Sequence, residues 1–278
     1  MNLIASENQR GIRNDGRVPT MSRSLTILIG SKGGFCDLTR GKTRIILFGY
    51  ITPSMVFKGV IFSKICFSFR FFYENLIKKN FFFYKNKNFS FLAELVIPLK
   101  NFLKKWYVLK ESCESLGFKP KIEFKIGIIE NDGNLQDTIN LGVGISIKSL
   151  EIPYINFNGQ MGVLKWKFID AEYLNQKKNS ILSNSFSIQE LFEGSSFFLL
   201  DPTYFEELNC NSFLSILMSE KGVIKNFKYG YENGITEENF LNIYKLSLKN
   251  FSFLNKLIKK ISIQKITKYS NTEIILLT

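Results

Sequence analysis

Between Leu25 and Ile51, three runs of apolar and β-branched residues are separated by two short turns, and no other stretch restricts the fold as tightly. Leu25 to Ile29 is the first run and Phe35 to Thr39 the second, joined through Gly30-Ser31-Lys32-Gly33-Gly34. Arg40-Gly41-Lys42 then turns the chain into Thr43 to Ile51. Connections of this length join neighbouring antiparallel strands, so the stretch is expected to form a meander with basic turns. Ahead of it lies an arm carrying Arg10, Arg13, Arg17 and Arg23 around Asn14-Asp15-Gly16. An Asn-Asp-Gly cluster tolerates positive φ and offers side-chain caps, which predicts a tight turn flanked by arginines.

A second block runs from Phe118 to Leu150. Phe118 to Glu130 places Ile122, Phe124, Ile126 and Ile128 on one face of a strand and ends in Asn131-Asp132-Gly133-Asn134, a strong turn. Leu135 to Leu150 reads as a helix, with Gly142 and Gly144 where close packing on a sheet favours small residues. Val60 to Phe72 alternates as a long strand. Asn75 to Asn88 interleaves aromatic residues with bases, a pattern that fits either a packed loop or nucleobase stacking. Ser90 caps a helix with Leu92, Leu95, Leu99, Phe102, Trp106 and Leu109 on its apolar face, kinked or restarted at Pro98. Met161 to Ile169 and Ser196 to Leu200 are further strands, with 175–185 a polar loop between them. Phe213 to Met218 and Val223 to Tyr229 are expected to pair as a hairpin. Thr236 begins a last helix whose apolar face is Phe240, Tyr244, Leu248, Phe251, Leu254, Ile258 and Ile261.

With 278 residues the chain can bury a large core in one big or two small domains. No apolar run reaches membrane-spanning length, and Glu7, Arg10 and Arg13 stand where a signal peptide would need its apolar region. Cys36, Cys66, Cys113 and Cys210 are scattered, and there is no histidine, so free thiols in a reducing compartment are expected and no metal or other cofactor. The absence of histidine also removes the commonest general base.

The formal charge of +13 is unevenly distributed. Residues 1–57 carry +5, 58–110 carry +9, 111–235 carry −5 and 236–278 carry +4. A polyanion, most naturally a nucleic-acid backbone, fits this excess. An AT-rich coding bias that fills solvated surface with Lys and Asn accounts for it as well.

Three ordered blocks carry a family resemblance. Arg13-Asn14-Asp15-Gly16-Arg17, Arg23, Gly33-Gly34-Phe35 and Gly41-Lys42-Thr43-Arg44 make the first. The strand at 118–130 with its Asp132-Gly133-Asn134 turn and small-residue helix makes the second, and Asp201-Pro202 followed by Glu206-Glu207 the third. Across most of residues 8–230 the chain resembles the RNase PH-like subunits of the exosome ring.

The resemblance implies an α/β, RNase PH-like fold, two βαβ-like halves with mixed sheets packed against helices. It implies a basic arm at 1–24, a core at 25–235 and a C-terminal helix and tail at 236–278. Implied partners are other RNase PH-like subunits in a hexameric ring, cap subunits with RNA-binding domains, a hydrolytic exoribonuclease and RNA, with no membrane, in nucleus (including nucleolus) and cytoplasm. The RNA-binding residues expected are Arg70, counted with the bases around the aromatic run at 75–88, and, as the resemblance implies for the helix that is arginine-rich in the family, Lys100, Lys104 and Lys105.

Active members of the family hold inorganic phosphate with an arginine just after a Gly-rich turn that opens a helix, a good anion trap. Here Asp132-Gly133-Asn134-Leu135-Gln136-Asp137-Thr138 stands in that place; no arginine is available, and Asp137 would repel phosphate. Active members also space two aspartates six apart, where this chain has Asp201 and Glu207. Asp201 reads equally as a cap on the turn opened by Pro202. The resemblance with these departures implies a subunit that is not an enzyme, with no catalytic residue. The alternatives are an active phosphorolytic 3′–5′ exoribonuclease using Asp201 and Glu207, or an unrelated basic protein binding acidic partners or a membrane surface through its last helix.

Overall fold

The structure, a computed structural model, describes residues 13–30, 34–55, 66–73, 118–150, 152–156, 165–169, 182–190, 196–219, 222–231, 235–264 and 273–277. The expected meander is present. β1 (Leu25–Ile29), β2 (Phe35–Arg40) and β3 (Thr43–Met55) pair antiparallel in sequence order. Alternation sends Ile27, Cys36, Leu38, Ile45 and Leu47 to one face, where all are fully buried.

β4 (Cys66–Tyr73) pairs parallel with β5 (Phe118–Glu130), and β5 pairs antiparallel with β3. The bounds of β5 are those read from the sequence, and Ile122, Phe124, Ile126 and Ile128 are buried as expected. The residues read only as a tail supply β12 (Glu273–Leu277), which closes the other edge against β1. The six-stranded sheet therefore runs β12-β1-β2-β3-β5-β4.

α1 (Leu135–Ser149) leaves the β5 turn and packs on β2 and β3 on one side and on β8 (Leu182–Glu190) on the other. Leu135, Ile139, Val143 and Ile147 are buried, and so are Leu141 and Ile145 off that stripe. A helix buried on all sides, with its polar residues Asp137, Asn140 and Ser146 buried too, is one enclosed by sheets. β8 centres a second sheet of order β11-β10-β8-β9, with β9 (Ser196–Leu200), β10 (Ser212–Met218) and β11 (Ile224–Tyr231). β10 and β11 form the expected hairpin. β6 (Ile152–Asn156) and β7 (Lys165–Ile169) make a separate two-stranded ribbon. A one-turn helix, α2 (Tyr204–Leu208), follows β9, and α3 (Glu237–Gln264) packs on β8 and α1. Among the described residues no helix is long and apolar enough to cross a membrane.

Two expectations fail for physical reasons. The segment read as a polar loop ending at Ser185 in fact begins β8 at Leu182. Its hydroxyls and amides are buried because each finds a partner: Ser183 Oγ donates to Asp137 at 2.6 Å, and Asn184 Nδ2 donates to the Ser247 carbonyl at 3.1 Å. The buried face of α3 is Ile243, Ser247, Phe251, Leu254, Leu257 and Ile258, while Phe240, Tyr244 and Leu248 are only partly buried. Phe251, Leu254 and Ile258 keep the expected stripe, while toward the start of the helix the buried face turns to Ile243 and Ser247, whose carbonyl accepts from Asn184 of β8. The Asn75–Asn88 aromatic segment and the helix after Ser90 lie outside the described residues.

The closest backbone approach beneath α1 is at Gly34, where φ is +85° and an added Cβ would stand 2.0 Å from the Gly49 carbonyl oxygen of β3. That approach lets the Gly34 carbonyl accept from Gly49 N at 2.8 Å and from Ser146 Oγ of α1 at 2.6 Å. Gly34→Ala is therefore expected to destabilise the chain by at least about 1–3 kcal/mol, measured as a lower urea midpoint with an unchanged m-value.

Candidate functional site

The site lies where the arm, the β5–α1 turn and the β9–α2 corner meet. Arg13 points Nε at Glu206 Oε1 (2.8 Å), pairs its Nη2 with Glu206 Oε2, and donates Nη1 to the Leu200 carbonyl at 2.7 Å. Arg17 donates Nε to Asp15 at 2.7 Å and Nη1 to the carbonyls of Met21 (2.9 Å) and Asp201 (3.2 Å). Arg23 grips Asp201 three times, through its backbone N (2.8 Å), Nε (3.1 Å) and Nη2 (2.9 Å). The same guanidinium donates to the carbonyls of Asp132 at 2.6 Å and Gly133 at 3.1 Å. Arg40, from the end of β2, places Nη1 3.8 Å from Asp201 and 3.9 Å from Asp137.

The acidic partners are held equally firmly. Asp201 also accepts from Asn134 Nδ2 at 2.5 Å. Glu207 accepts the Asn134 N–H at 2.7 Å. Asp137, in the first turn of α1, accepts from Ser183 Oγ (2.6 Å), Ser185 N (2.7 Å) and Ser185 Oγ (2.9 Å) of β8. Asp201 and Asn134 both sit at positive φ, +54° and +50°. Asp and Asn tolerate that region best among residues with a Cβ, and the surrounding bonds hold them there. Gly133, at φ +84°, carries no Cβ because one would stand 2.4 Å from the backbone of Thr203 and Tyr204.

Burial would push Asp201 up, but the Arg40 and Arg23 guanidinium groups outweigh it and hold the carboxylate well below its usual range. Burial raises Asp137, against the pull of Arg40 and the two serines. It also raises the partly buried Glu207 to about 7, despite the Asn134 N–H and Arg23, with Asp137 and Asp201 adding repulsion. Four guanidinium groups here face six carboxylates: Asp15, Asp132, Asp137, Asp201, Glu206 and Glu207. The cluster carries no positive excess with which to hold a free anion.

Several expectations are corrected by this geometry. Three of the arm's arginines do not face a polyanion: Arg13, Arg17 and Arg23 are 3%, 8% and 9% exposed and already paired, and Arg10 lies outside the described residues. An arginine does stand beside Asp201, contrary to the sequence reading. Arg40 shares the inward phase of Cys36 and Leu38 on β2, a signal visible in the sequence, but that it meets two carboxylates depends on the packing of α1. Asp137 does not project into an anion site; it bonds α1 to β8. Asp201 does not simply cap the turn opened by Pro202: its carboxylate is held by Arg23 and Asn134, and the Thr203 N–H goes to Glu206 within the α2 capping box. Arg70 is the register partner of Lys125 on β4, and Lys100, Lys104 and Lys105 lie outside the described residues. Cys36 and Cys210 are free thiols.

No protein-family model and no curated protein matches this chain. Solved structures do. A chain of the archaeal exosome core aligns with a TM-score of 0.62 at 16% identity, over 92% of this chain and 94% of that one. A chain of the Archaeoglobus fulgidus exosome with RNA bound to the active site gives 0.63 at 15% identity, over 93% and 96%. Rice (Oryza sativa) Rrp46 gives 0.60 at 16%, over 90% of this chain and 100% of that one. The fold is thus the mixed α/β, RNase PH-like fold of exosome core subunits.

Two outcomes follow from the network. Arg23→Met strips the buried Asp201 carboxylate of its closest cation, leaving Asn134 and the more distant Arg17 and Arg40, and is expected to cost up to about 3–5 kcal/mol. Arg23→Lys recovers less than half of that in urea unfolding, because an ammonium lacks the two-pronged donor set. Glu207 binds its proton more tightly folded than unfolded, so its contribution is complete below the ordinary value of 4.5 and is lost as pH rises through about 7. Asp201 has the opposite sign, contributing above its ordinary value of 3.8 and losing that contribution as pH falls below it. The urea midpoint is therefore expected to fall between about pH 5 and about pH 8, and that fall should be smaller in Glu207→Gln.

Proposed function

We propose that this chain is a non-catalytic structural subunit of an RNA exosome ring. The carrying observation is that Asp201 is consumed by Arg23 while Arg13 is paired with Glu206 and Arg17 with Asp15. Phosphorolysis needs a cation free to grip inorganic phosphate and a carboxylate free to serve the scissile phosphodiester. The cluster engages all four guanidinium groups with its own acids and carbonyls, and it keeps no positive excess for an incoming anion.

In this reading the chain helps to close a basic channel that threads RNA, 3′ end first, to a separate hydrolytic exoribonuclease for RNA processing and decay. Its neighbours are other RNase PH-like subunits in a hexameric ring and cap subunits with RNA-binding domains. Contacts along the channel are to phosphates, hence independent of sequence and weakened by salt. The three sequence blocks, Asp132-Gly133-Asn134 above all, favour the polymyositis/scleroderma autoantigen type among such subunits. Nucleus, nucleolus and cytoplasm are the compartments that go with this role.

The test supplies purified chain with RNA and inorganic phosphate. No nucleoside diphosphate is expected, and affinity purification should bring down other RNase PH-like subunits. Release of nucleoside diphosphates that is abolished by Asp201→Asn would establish the phosphorolytic enzyme in its place.

A further inference from the structure

The six-stranded sheet has a second face, opposite the one that packs on α1. Along β5, Glu123 and Lys125 alternate with Ile122, Phe124 and Ile126 and so belong to this second face, where Glu123 is buried at 5% exposure and Lys125 is half-buried. The register then sets Arg70 of β4, Lys125 of β5, Phe48 of β3 and Phe35 of β2 in one row across four neighbouring strands. Phe48 is 48% exposed and meets Phe35 edge to face, with ring centroids 4.9 Å apart. One pleat along, Lys125 holds its Nζ 5.1 Å from the centroid of the Tyr50 ring.

Charge on this face is sorted. Asp37 is taken up by Arg44, whose Nε and Nη2 donate to it at 3.2 and 2.8 Å. Glu123 accepts from the Tyr50 hydroxyl at 2.6 Å. Among the described residues no carboxylate pairs with Lys125. The row thus carries bases on β4 and β5 and aromatic rings on β3 and β2, with strands roughly 4.8 Å apart.

We propose that this row is a binding site for single-stranded RNA, bases stacking on Phe48 and phosphates meeting Lys125. A protein docked here would desolvate an unpaired ammonium, whereas a nucleic-acid strand brings both a π-face and an anion to the same row. The site lies on the opposite face of the sheet from the arginine cluster and does not depend on the ring reading.

The test is fluorescence anisotropy of the full chain with a labelled oligouridylate at low salt. Phe48→Ala is expected to weaken binding about 5- to 100-fold, with Phe48→Tyr restoring it. Lys125→Gln lowers the slope of log affinity against log salt by about one, while Lys249→Ala on α3 leaves affinity within about twofold. Absence of binding by the native chain overturns the proposal. So does an affinity that Phe48→Ala leaves unchanged, including the case in which that variant loses a co-purifying protein and reveals a protein interface. Phosphorolysis and co-purification of the native chain read the ring function separately, so either reading can fail alone.

Discussion

The buried pairing of Arg23 with Asp201 is the contact through which the two sheets are tied at one end of the molecule. Arg23 precedes β1 and Asp201 follows β9, so a single guanidinium joins segments separated by most of the chain. It also collects the carbonyls of the β5–α1 turn, which fixes the start of the central helix. Two buried ions of opposite charge hold their place because nearly every remaining donor and acceptor is filled. The positive φ of Asp201 and Asn134 is sustained by the same bonds, since neither residue would keep that conformation unassisted.

Around this contact the arm acts as a strap. Arg13 reaches Glu206 and the end of β9, Arg17 reaches Asp15 and Met21, and the Leu200 N–H donates back to the Pro19 carbonyl at 2.9 Å. What looks in the sequence like a cationic arm available to a polyanion is, in three dimensions, internal mortar. The free positive charge of the chain must therefore be sought elsewhere, and the outer face of the six-stranded sheet is one place where an unmatched cation stands beside exposed aromatic carbon.

The sheet segments were legible because alternation is a local property. β1, β5 and β9 have the bounds that their side-chain pattern implies, and the turn at Asn131 to Asn134 announces itself through residues that tolerate positive φ. β8 was not legible, since Ser183, Asn184 and Ser185 resemble a loop until Asp137 and Ser247 are in place to satisfy them. Likewise Arg40 belongs visibly to the inward phase of β2, but nothing local says that two carboxylates wait there.

By itself the sequence determined the meander, the long strand with its turn, and which residue types surround Asp201, because these depend on periodicities of a few residues and on backbone preferences of Gly, Asn and Asp. Only the tertiary structure decided that the arginines are spent internally, that a serine-rich segment is a central strand, and that Phe35, Phe48 and Lys125 share a row. Those outcomes rest on which charges and donors meet in a low-dielectric interior, and pairing between residues from about 50 to nearly 200 positions apart leaves no mark on the pattern of either partner alone.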